Sequence, residues 1–179
     1  MDKVCAVIDC QGFLFSDRFI AREVAITSEY FSQCMELNPE IDWKDLIDDE
    51  INIVNYTTNM INGLHLMPFN QKDYAFIPSS DDLEKGISVW YDQARTDDKY
   101  LVAFKNANLQ PILEKLEIPK LNLDDKILDF KSIRELNKKY GFHYLCAYHK
   151  RPPKGVSYTC AYRKTNHIYR EIKNILEKV

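Results

Sequence analysis

Glycine is scarce in this sequence, and its scarcity narrows the possible functions. Only five of the 179 residues are glycine, so the chain has no glycine-rich loop that could hold a phosphate group, and we expect no nucleotide cofactor. The sharp serine-bearing turn of many hydrolases is also missing, and no segment repeats along the chain. The common nucleotide-binding, hydrolase and repeat classes are therefore disfavoured.

Long apolar runs and paired cysteine motifs are missing as well. No stretch approaches the length needed to cross a bilayer, and the first apolar run is too short for a signal peptide. We therefore expect no membrane partner. Five cysteines are an odd number for a disulfide framework. They favour a reducing compartment, so we expect an intracellular protein of the cytoplasm or nucleus.

Charge is distributed unevenly along what we expect to be one domain, residues 1–179. Residues 1–130 carry a net charge of -12, whereas residues 131–179 carry +9 and six of the eleven tyrosines. A basic, tyrosine-rich end is suited to phosphate contacts and base stacking, although it could equally pack on the acidic body. The candidate nucleic-acid-binding residues are Lys150, Arg151, Lys154, Arg163, Lys164, Arg170, Tyr148, Tyr158 and Tyr162.

Cys146, His149 and Cys160 have the spacing of metal ligands. Cys-x2-His can place two ligands on one turn, and the ten-residue excursion that follows can return the third. Zinc binds four ligands in a tetrahedral arrangement, so a fourth must come from a distant part of the chain. The alternative is a small buried cysteine pair beside a surface histidine. Cys34 has no partner by spacing.

The order of apolar segments predicts an α/β fold. Three antiparallel strands should come first, followed by alternating helices and parallel strands, which gives a mixed sheet with helices on its faces. Gly12 should allow a turn after the first strand, and Gly141 should end a helix. The predicted strands are 4–9, 19–27, 28–36, 100–104 and 126–130, and the predicted helices lie at about 43–54, 80–94, 107–117, 132–140 and 159–179.

This order, with Asp9 ending the first strand, resembles the ribonuclease H-like fold of the DnaQ-type 3′–5′ exonucleases. Those enzymes hold two metal ions between carboxylates on the first strand, a helix and the last helix. At the matching positions this chain has Asp9 but also Gln11, Gln110 and Lys164. An amide binds Mg²⁺ poorly and an ammonium group opposes a cation. The resemblance therefore implies a degenerate site with no catalytic residues.

The Cys/His spacing is similar to that of the Maelstrom domain, a ribonuclease H-like fold with an added Glu-Cys-His-Cys zinc site. The resemblance implies that Glu23, in Ala21-Arg22-Glu23-Val24, is the fourth ligand. The set would then be Glu23, Cys146, His149 and Cys160, and the zinc would be structural. His143 and His167 are the competing fourth ligands.

Three functions follow from this sequence. The first is an inactive ribonuclease H-like module that binds single-stranded RNA or a protein of an RNA-silencing pathway, or that antagonises silencing. The second is an active metal-dependent 3′–5′ exonuclease or ribonuclease that uses Asp9, with partners that the sequence does not assign. Asp129, at the end of a predicted strand, could approach Asp9 across the sheet. The third is a protein–protein interaction module whose acidic and basic surfaces bind different partners.

Overall fold

The computed structural model describes residues 1–39, 41–67, 79, 82–125, 128–141, 146, 148–149 and 151–178. Their core is a five-stranded sheet with helices on both faces. The strands are β1 (Val4–Leu14), β2 (Phe19–Ser28), β3 (Ser32–Glu36), β4 (Leu101–Phe104) and β5 (Lys120–Asn122). The helices are α1 (Asp48–Tyr56), α2 (Asp82–Ala94), α3 (Gln110–Lys115), α4 (Ile133–Tyr140) and α5 (Ala161–Leu176).

The sheet is mixed, as the order of segments predicts. Its strand order is β3-β2-β1-β4-β5. The first three strands pair antiparallel, whereas β1 with β4 and β4 with β5 pair parallel. This arrangement confirms the predicted α/β class, and it places β1 at the centre of the sheet.

Three strand predictions are wrong in their bounds. The first strand does not end at Asp9 but runs to Leu14, because its pairing with β2 continues to that residue. The third strand begins at Ser32 rather than Ser28, because the Ser28 hydroxyl accepts hydrogen bonds from the next backbone N–H groups and closes a turn. The last strand is β5, not 126–130. Asp129 has a φ of 44°, which an extended strand does not allow, and Leu128 lies in a helical turn. Residues 126 and 127 lie outside the described residues.

Gly12 does not end the first strand but sits within it. The pairing of β1 with β2 shifts register between Gln11 and Gly12. A side-chain carbon on Gly12 would lie 1.9 Å from the Ile20 carbonyl oxygen. Only glycine therefore permits this close approach of two strands, which is a feature of β-bulges.

The helix predictions hold at most positions. The helix predicted near 43–54 is shorter at its start: Trp43 lies in a separate 3₁₀ turn, and α1 is followed by a π-helical turn, Thr57–Ile61. Gly141 ends α4 with a φ of 87°, as predicted. A short 3₁₀ turn, Ala107–Leu109, precedes α3.

Side chains of the sheet contribute to three apolar clusters, two of which lie on opposite faces of the sheet. Ile8 packs with Leu83 and Ile87 on the α2 face, whereas Val7 packs with Leu136 and Ile168 on the α4–α5 face. Because strand side chains alternate between faces, Asp9 and Gln11 share the face of Val7. The polar end of this face lies beneath the beginning of α5.

Candidate metal centre

The structure brings together four metal-ligating residues beneath the beginning of α5. They come from β2, from the segment before α5 and from the cap of α5, and one ligand atom from each lies within 4.8 Å of all the others. This cluster could hold a metal ion. Its members are Glu23, Cys146, His149 and Cys160.

The Glu23 carboxylate lies at the centre of the cluster. Its Oε1 accepts from the Cys146 thiol at 2.9 Å and from the Cys160 thiol at 3.5 Å. Its Oε2 lies 3.2 Å from His149 Nε2 and accepts the Ala161 N–H at 3.0 Å. The side chains of Glu23 and His149 are fully buried. Thiol and imidazole groups, which bind cations when deprotonated, thus surround a buried carboxylate.

The orientation of His149 fits a metal ligand. Its Nδ1 makes a short hydrogen bond with the Asn62 carbonyl oxygen. A carbonyl can only accept, so Nδ1 carries a proton, and Nε2 points into the cluster, where its lone pair becomes available to a cation once Nε2 is deprotonated. Nε2 is buried and lies 3.2 Å from Glu23 Oε2, at an angle that does not give a directed hydrogen bond. In metal sites, a ligating imidazole usually donates one ring N–H to a carbonyl or carboxylate and binds the cation through its other nitrogen.

The electrostatics of the cluster also favour the binding of a cation. Burial raises the pKa of Glu23, but His149, Cys146 and the Ala161 N–H lower it to about 2 overall. Burial lowers the pKa of His149, but Cys160 and Glu23 raise it to about 10. Cys146 and burial raise the pKa of the Cys160 thiol. Protons are therefore held around a buried negative charge, and a divalent cation would replace them.

Local structure explains how the ligand segments are positioned. Cys160 is the residue before α5, where the first backbone N–H groups have no intrahelical partner; Ala161 donates its N–H to Glu23. Thr159 donates its backbone N–H to the Ile61 carbonyl at 2.7 Å. Asn62, which accepts from His149, donates its side chain to the Gly12 carbonyl at 3.2 Å. The cluster is thus held by the sheet, the π-helical turn and α5.

The donor set suits zinc. Two thiolates, an imidazole and a carboxylate are ligands that zinc binds, and four protein ligands close a structural site. Of the competing fourth ligands, His143 lies outside the described residues. His167 lies elsewhere, between α4 and α5, where its Nδ1 contacts Asn137 Oδ1 at 3.1 Å.

Cys34 is the residue at this site that the sequence did not reveal. Its thiol donates to Glu23 Oε1 at 3.2 Å. The spacing of Cys34 along the chain indicates nothing, because it lies on β3 far from the other cysteines. The signal is the strand register, which pairs Ala25 with Cys34 and so places Cys34 diagonally beside Glu23.

A second polar cluster lies next to the metal centre and contains Asp9. The Asp9 carboxylate is almost fully buried, and Lys164 Nζ lies 2.8 and 2.9 Å from its two oxygens. Gln11 donates to Asp9 at 2.9 Å and accepts from the Thr159 hydroxyl at 2.8 Å. Burial raises the pKa of Asp9, and Lys164 opposes this effect. An ammonium group thus occupies the position beside Asp9 that a cation would take.

The other degenerate positions lie apart from Asp9. Gln110 is exposed on α3 and donates to Glu114 at 2.9 Å. Asp129 is exposed. In the part of the chain that the structure describes, no group of three or more metal-ligating residues includes Asp9.

No protein family and no curated protein matches this chain. No helix among the described residues is long and apolar enough to span a membrane.

Three of the predicted nucleic-acid contacts point inward, so those predictions are corrected. Arg163 is buried and donates to the Tyr158 carbonyl oxygen, and Tyr158 is buried with its hydroxyl on the Asn59 carbonyl. Lys164 is paired with Asp9. Helix periodicity turns Arg163 and Lys164 of α5 towards the sheet, whereas Tyr158 precedes α5 and packs beside Gly63. Composition alone does not indicate either placement.

The remaining candidates lie nearer the surface. Arg151, Lys154 and Arg170 are exposed, and Tyr162 is half-buried. Tyr148 is half-buried and donates its hydroxyl to the Cys34 carbonyl at 3.3 Å. Lys150 lies outside the described residues. A smaller basic surface than the predicted one is therefore available.

Proposed function

We propose that this protein is a zinc-stabilised, catalytically inactive domain of the ribonuclease H-like class, similar to the Maelstrom domain, that acts by binding a partner. The observation that carries this proposal is the convergence of Glu23, Cys146, His149 and Cys160 within 4.8 Å of one another. When bound, zinc would join β2 to the start of α5 and add its binding free energy to folding.

Two features support the ribonuclease H-like assignment. The strand order β3-β2-β1-β4-β5, with an antiparallel half and a parallel half, agrees with that fold. Asp9, Gln11 and Lys164, which resemblance assigns to the nuclease motifs, lie together on one face of the sheet. Function is argued from this site and not from the fold.

The Asp9 site supports binding without cleavage. Two-metal hydrolysis needs several carboxylates around the ions, whereas Asp9 is neutralised by Lys164 and contacts the amide of Gln11. Labelled single- and double-stranded RNA and DNA should remain intact with Mg²⁺ or Mn²⁺. Cleavage that is abolished by Asp9→Asn would establish the active nuclease instead.

Metal analysis of the purified protein tests the zinc site. We expect one zinc per chain in the wild type, and a large loss of zinc in Cys160→Ser and His149→Ala. Cys5→Ala is a matched control, because Cys5 is a buried free thiol whose contact is the Leu101 carbonyl. A zinc content well under one per chain in the wild type would contradict the proposed zinc site.

Single-stranded RNA is the first partner to test, because Arg151, Lys154 and Arg170 remain exposed. Reversing Arg151 and Lys154 to glutamate should weaken binding and reduce the slope of log affinity against log salt by about 2. Lys85→Glu/Lys115→Glu, in two exposed lysines on α2 and α3, changes the net charge equally and is the control. Equal effects of the two double variants would contradict an RNA surface at 151–154.

A protein partner, from a silencing pathway or elsewhere, is the second candidate. A specific observation favours it: large apolar side chains are exposed on α1 and the adjacent turns, where single-residue exposure reaches 66%. Exposed apolar surface of this kind marks protein interaction sites. This function predicts no RNA binding near physiological salt. The residues concerned are Trp43, Ile47, Tyr56, Met60 and Ile61.

A further inference from the structure

Three thiols converge on one oxygen atom at the metal centre. Cys146, Cys34 and Cys160 donate to Glu23 Oε1 at 2.9, 3.2 and 3.5 Å. Glu23, Cys146, His149 and Cys160 lie within 4.8 Å of one another, and Cys34 adjoins this set through Glu23 Oε1. Five donors are thus present at or beside the centre, whereas a tetrahedral cation takes four. One of the five is therefore outside the coordination shell at any time.

Strand pairing holds Cys34 at this position. Ala25 pairs with Cys34 and Glu23 pairs with Glu36, so Glu23 and Cys34 are diagonal neighbours on one face of the sheet. The hydroxyl of Tyr148 donates to the Cys34 carbonyl at 3.3 Å, which joins β3 to the segment that carries two of the ligands. The backbone register of β2 and β3 therefore fixes Cys34 next to Glu23.

Glu23 keeps a partner when it leaves a cation. Its Oε2 accepts the Ala161 N–H at 3.0 Å, a hydrogen bond that needs no metal. A protonated Glu23 would keep this hydrogen bond, because the carbonyl oxygen of a carboxylic acid still accepts from an N–H group, and buried carboxyl groups are tolerated when they are hydrogen-bonded. Glu23 can thus exchange with a neighbouring donor without leaving an unpaired buried charge.

We propose that Cys34 is a fifth ligand of this metal centre, which replaces Glu23 in the coordination shell and gives a set of three thiolates and one imidazole. The inference rests on the proposed metal site. When the Cys34 sulfur binds the cation, its proton passes to the Glu23 carboxylate as the Glu23–metal bond breaks. The net charge of the centre is unchanged, because a thiolate replaces a carboxylate within the shell.

The nature of the ligands selects the cation. A third thiolate favours soft, thiophilic cations such as Cd²⁺ over harder ones, whereas carboxylate ligands favour harder cations. We expect Zn²⁺ and Co²⁺ to use Glu23 in the wild type, and Cd²⁺ to use Cys34. Both sets use Cys146, His149 and Cys160.

Cobalt substitution tests the exchange, because thiolate-to-cobalt charge-transfer absorbance increases with the number of thiolates. Glu23→Gln should still bind one Co²⁺ per chain, with charge-transfer absorbance about half as large again as that of the wild type, reflecting three thiolates in place of two. Glu23→Gln/Cys34→Ser should bind Co²⁺ at least ~10-fold more weakly. Glu23→Gln/Cys5→Ala is the matched control and should behave as Glu23→Gln.

The outcomes separate this inference from the proposed function. A wild type that binds neither Zn²⁺ nor Co²⁺ removes the metal site itself. If the wild type binds the metal but a folded Glu23→Gln variant does not, only the role of Cys34 is overturned. The same conclusion follows if adding Cys34→Ser to Glu23→Gln leaves metal binding unchanged. Circular dichroism establishes folding of each variant.

A second measurement decides the question if Glu23→Gln does not fold. In the Cd²⁺-loaded protein, Cys34→Ser should lower thiolate-to-cadmium absorbance by about a third, since one of three thiolates is lost. Absorbance equal to that of the Cd²⁺-loaded wild type would overturn the proposal.

Discussion

Lys164 forms a buried ion pair with Asp9 that affects both metal binding and stability. Its ammonium group is mostly buried and pairs with both oxygens of the buried Asp9. A buried pair contributes little net stability compared with apolar residues, but removal of one partner leaves an uncompensated charge. The ammonium group that would oppose a cation at Asp9 thus also neutralises the buried carboxylate in the fold.

Loss of this ammonium group should destabilise the protein. We expect Lys164→Met to lower the free energy of unfolding by about 3 kcal/mol, and Asp9→Asn/Lys164→Met to recover most of that loss, because no charge then remains buried. Chemical denaturation measures both. Lys154→Met, at an exposed lysine, is the control; an equal loss there would contradict a buried ion pair.

Gly63 is a second residue whose local contacts make a specific prediction. Its φ is 71°, and a side-chain carbon would lie 2.3 Å from the ring of Tyr158. Gly63→Ala should lower the free energy of unfolding by about 3 kcal/mol, because it combines backbone strain with overpacking. Gly155 also has a positive φ but has no atom near that position, so Gly155→Ala should cost only about 1 kcal/mol. Similar costs in thermal or chemical denaturation would contradict the close packing.

At the scale of elements, the packing of α4 on α5 contains two buried titratable groups. Burial, Arg163 and Arg170 lower the pKa of His167 to about 4. Burial raises the pKa of Glu171, but Lys131, Lys139 and Tyr140 lower it to about 2 overall. The pKa of each group therefore differs between the folded and the unfolded chain, so the free energy of unfolding depends on pH.

These shifts predict acid sensitivity in two ranges of pH. Below about pH 6.5 the unfolded chain protonates His167 while the folded protein does not, so stability falls between pH 6.5 and 4. The loss from His167 is up to ~3 kcal/mol. Glu171 adds a loss between pH 4.5 and 2, because its folded pKa is depressed. Denaturation across pH measures both.

Substitutions at His167 and Glu171 test which group causes the loss of stability in each pH range. His167→Gln should flatten the pH dependence between 6.5 and 4, since a glutamine side chain can still contact Asn137 but does not titrate there. Glu171→Gln should change the lower range instead. A pH profile of His167→Gln that parallels the wild type would show that His167 titrates alike in both states.

At the scale of the whole molecule, the candidate metal centre brings together distant parts of the chain. Glu23 and Cys160 are 137 positions apart, and α5 packs on β1 and β2 over the same face. A cation that binds only the folded state stabilises the whole domain by mass action. The stability of the sheet and of the last helix should therefore depend on the metal together.

Removal of the metal tests this coupling. A chelator should lower the thermal midpoint by about 5–10 °C, the shift expected when ~3 kcal/mol of binding free energy is lost from a domain of this size. Hydrogen exchange should increase at the start of α5 and in β2. Cys160→Ser should show no chelator effect. An unchanged midpoint of the zinc-loaded wild type would contradict a stabilising role.

Much of the layout follows from local patterns in the sequence. Ser132 and Glu135 form a capping box that begins α4, and Gly141 ends it, because these residues act on the backbone next to them. The bounds of β5 and α1 were not predictable in this way. β5 has only three residues, and its pairing with β4 depends on a partner far along the chain.

The sequence by itself determined which residue types this protein has for chemistry: thiols and an imidazole at ligand spacing, and a carboxylate, an amide and a lysine at Asp9, Gln11 and Lys164. The tertiary structure alone decided which of them meet. Cys34 lies beside the candidate metal centre through the register of β2 and β3, Arg163 is buried through the packing of α5, and Tyr158 is buried through its contacts before α5. The physical reason is that ligand spacing and side-chain charge act locally, whereas register and burial depend on how separate segments pair and pack in the folded chain.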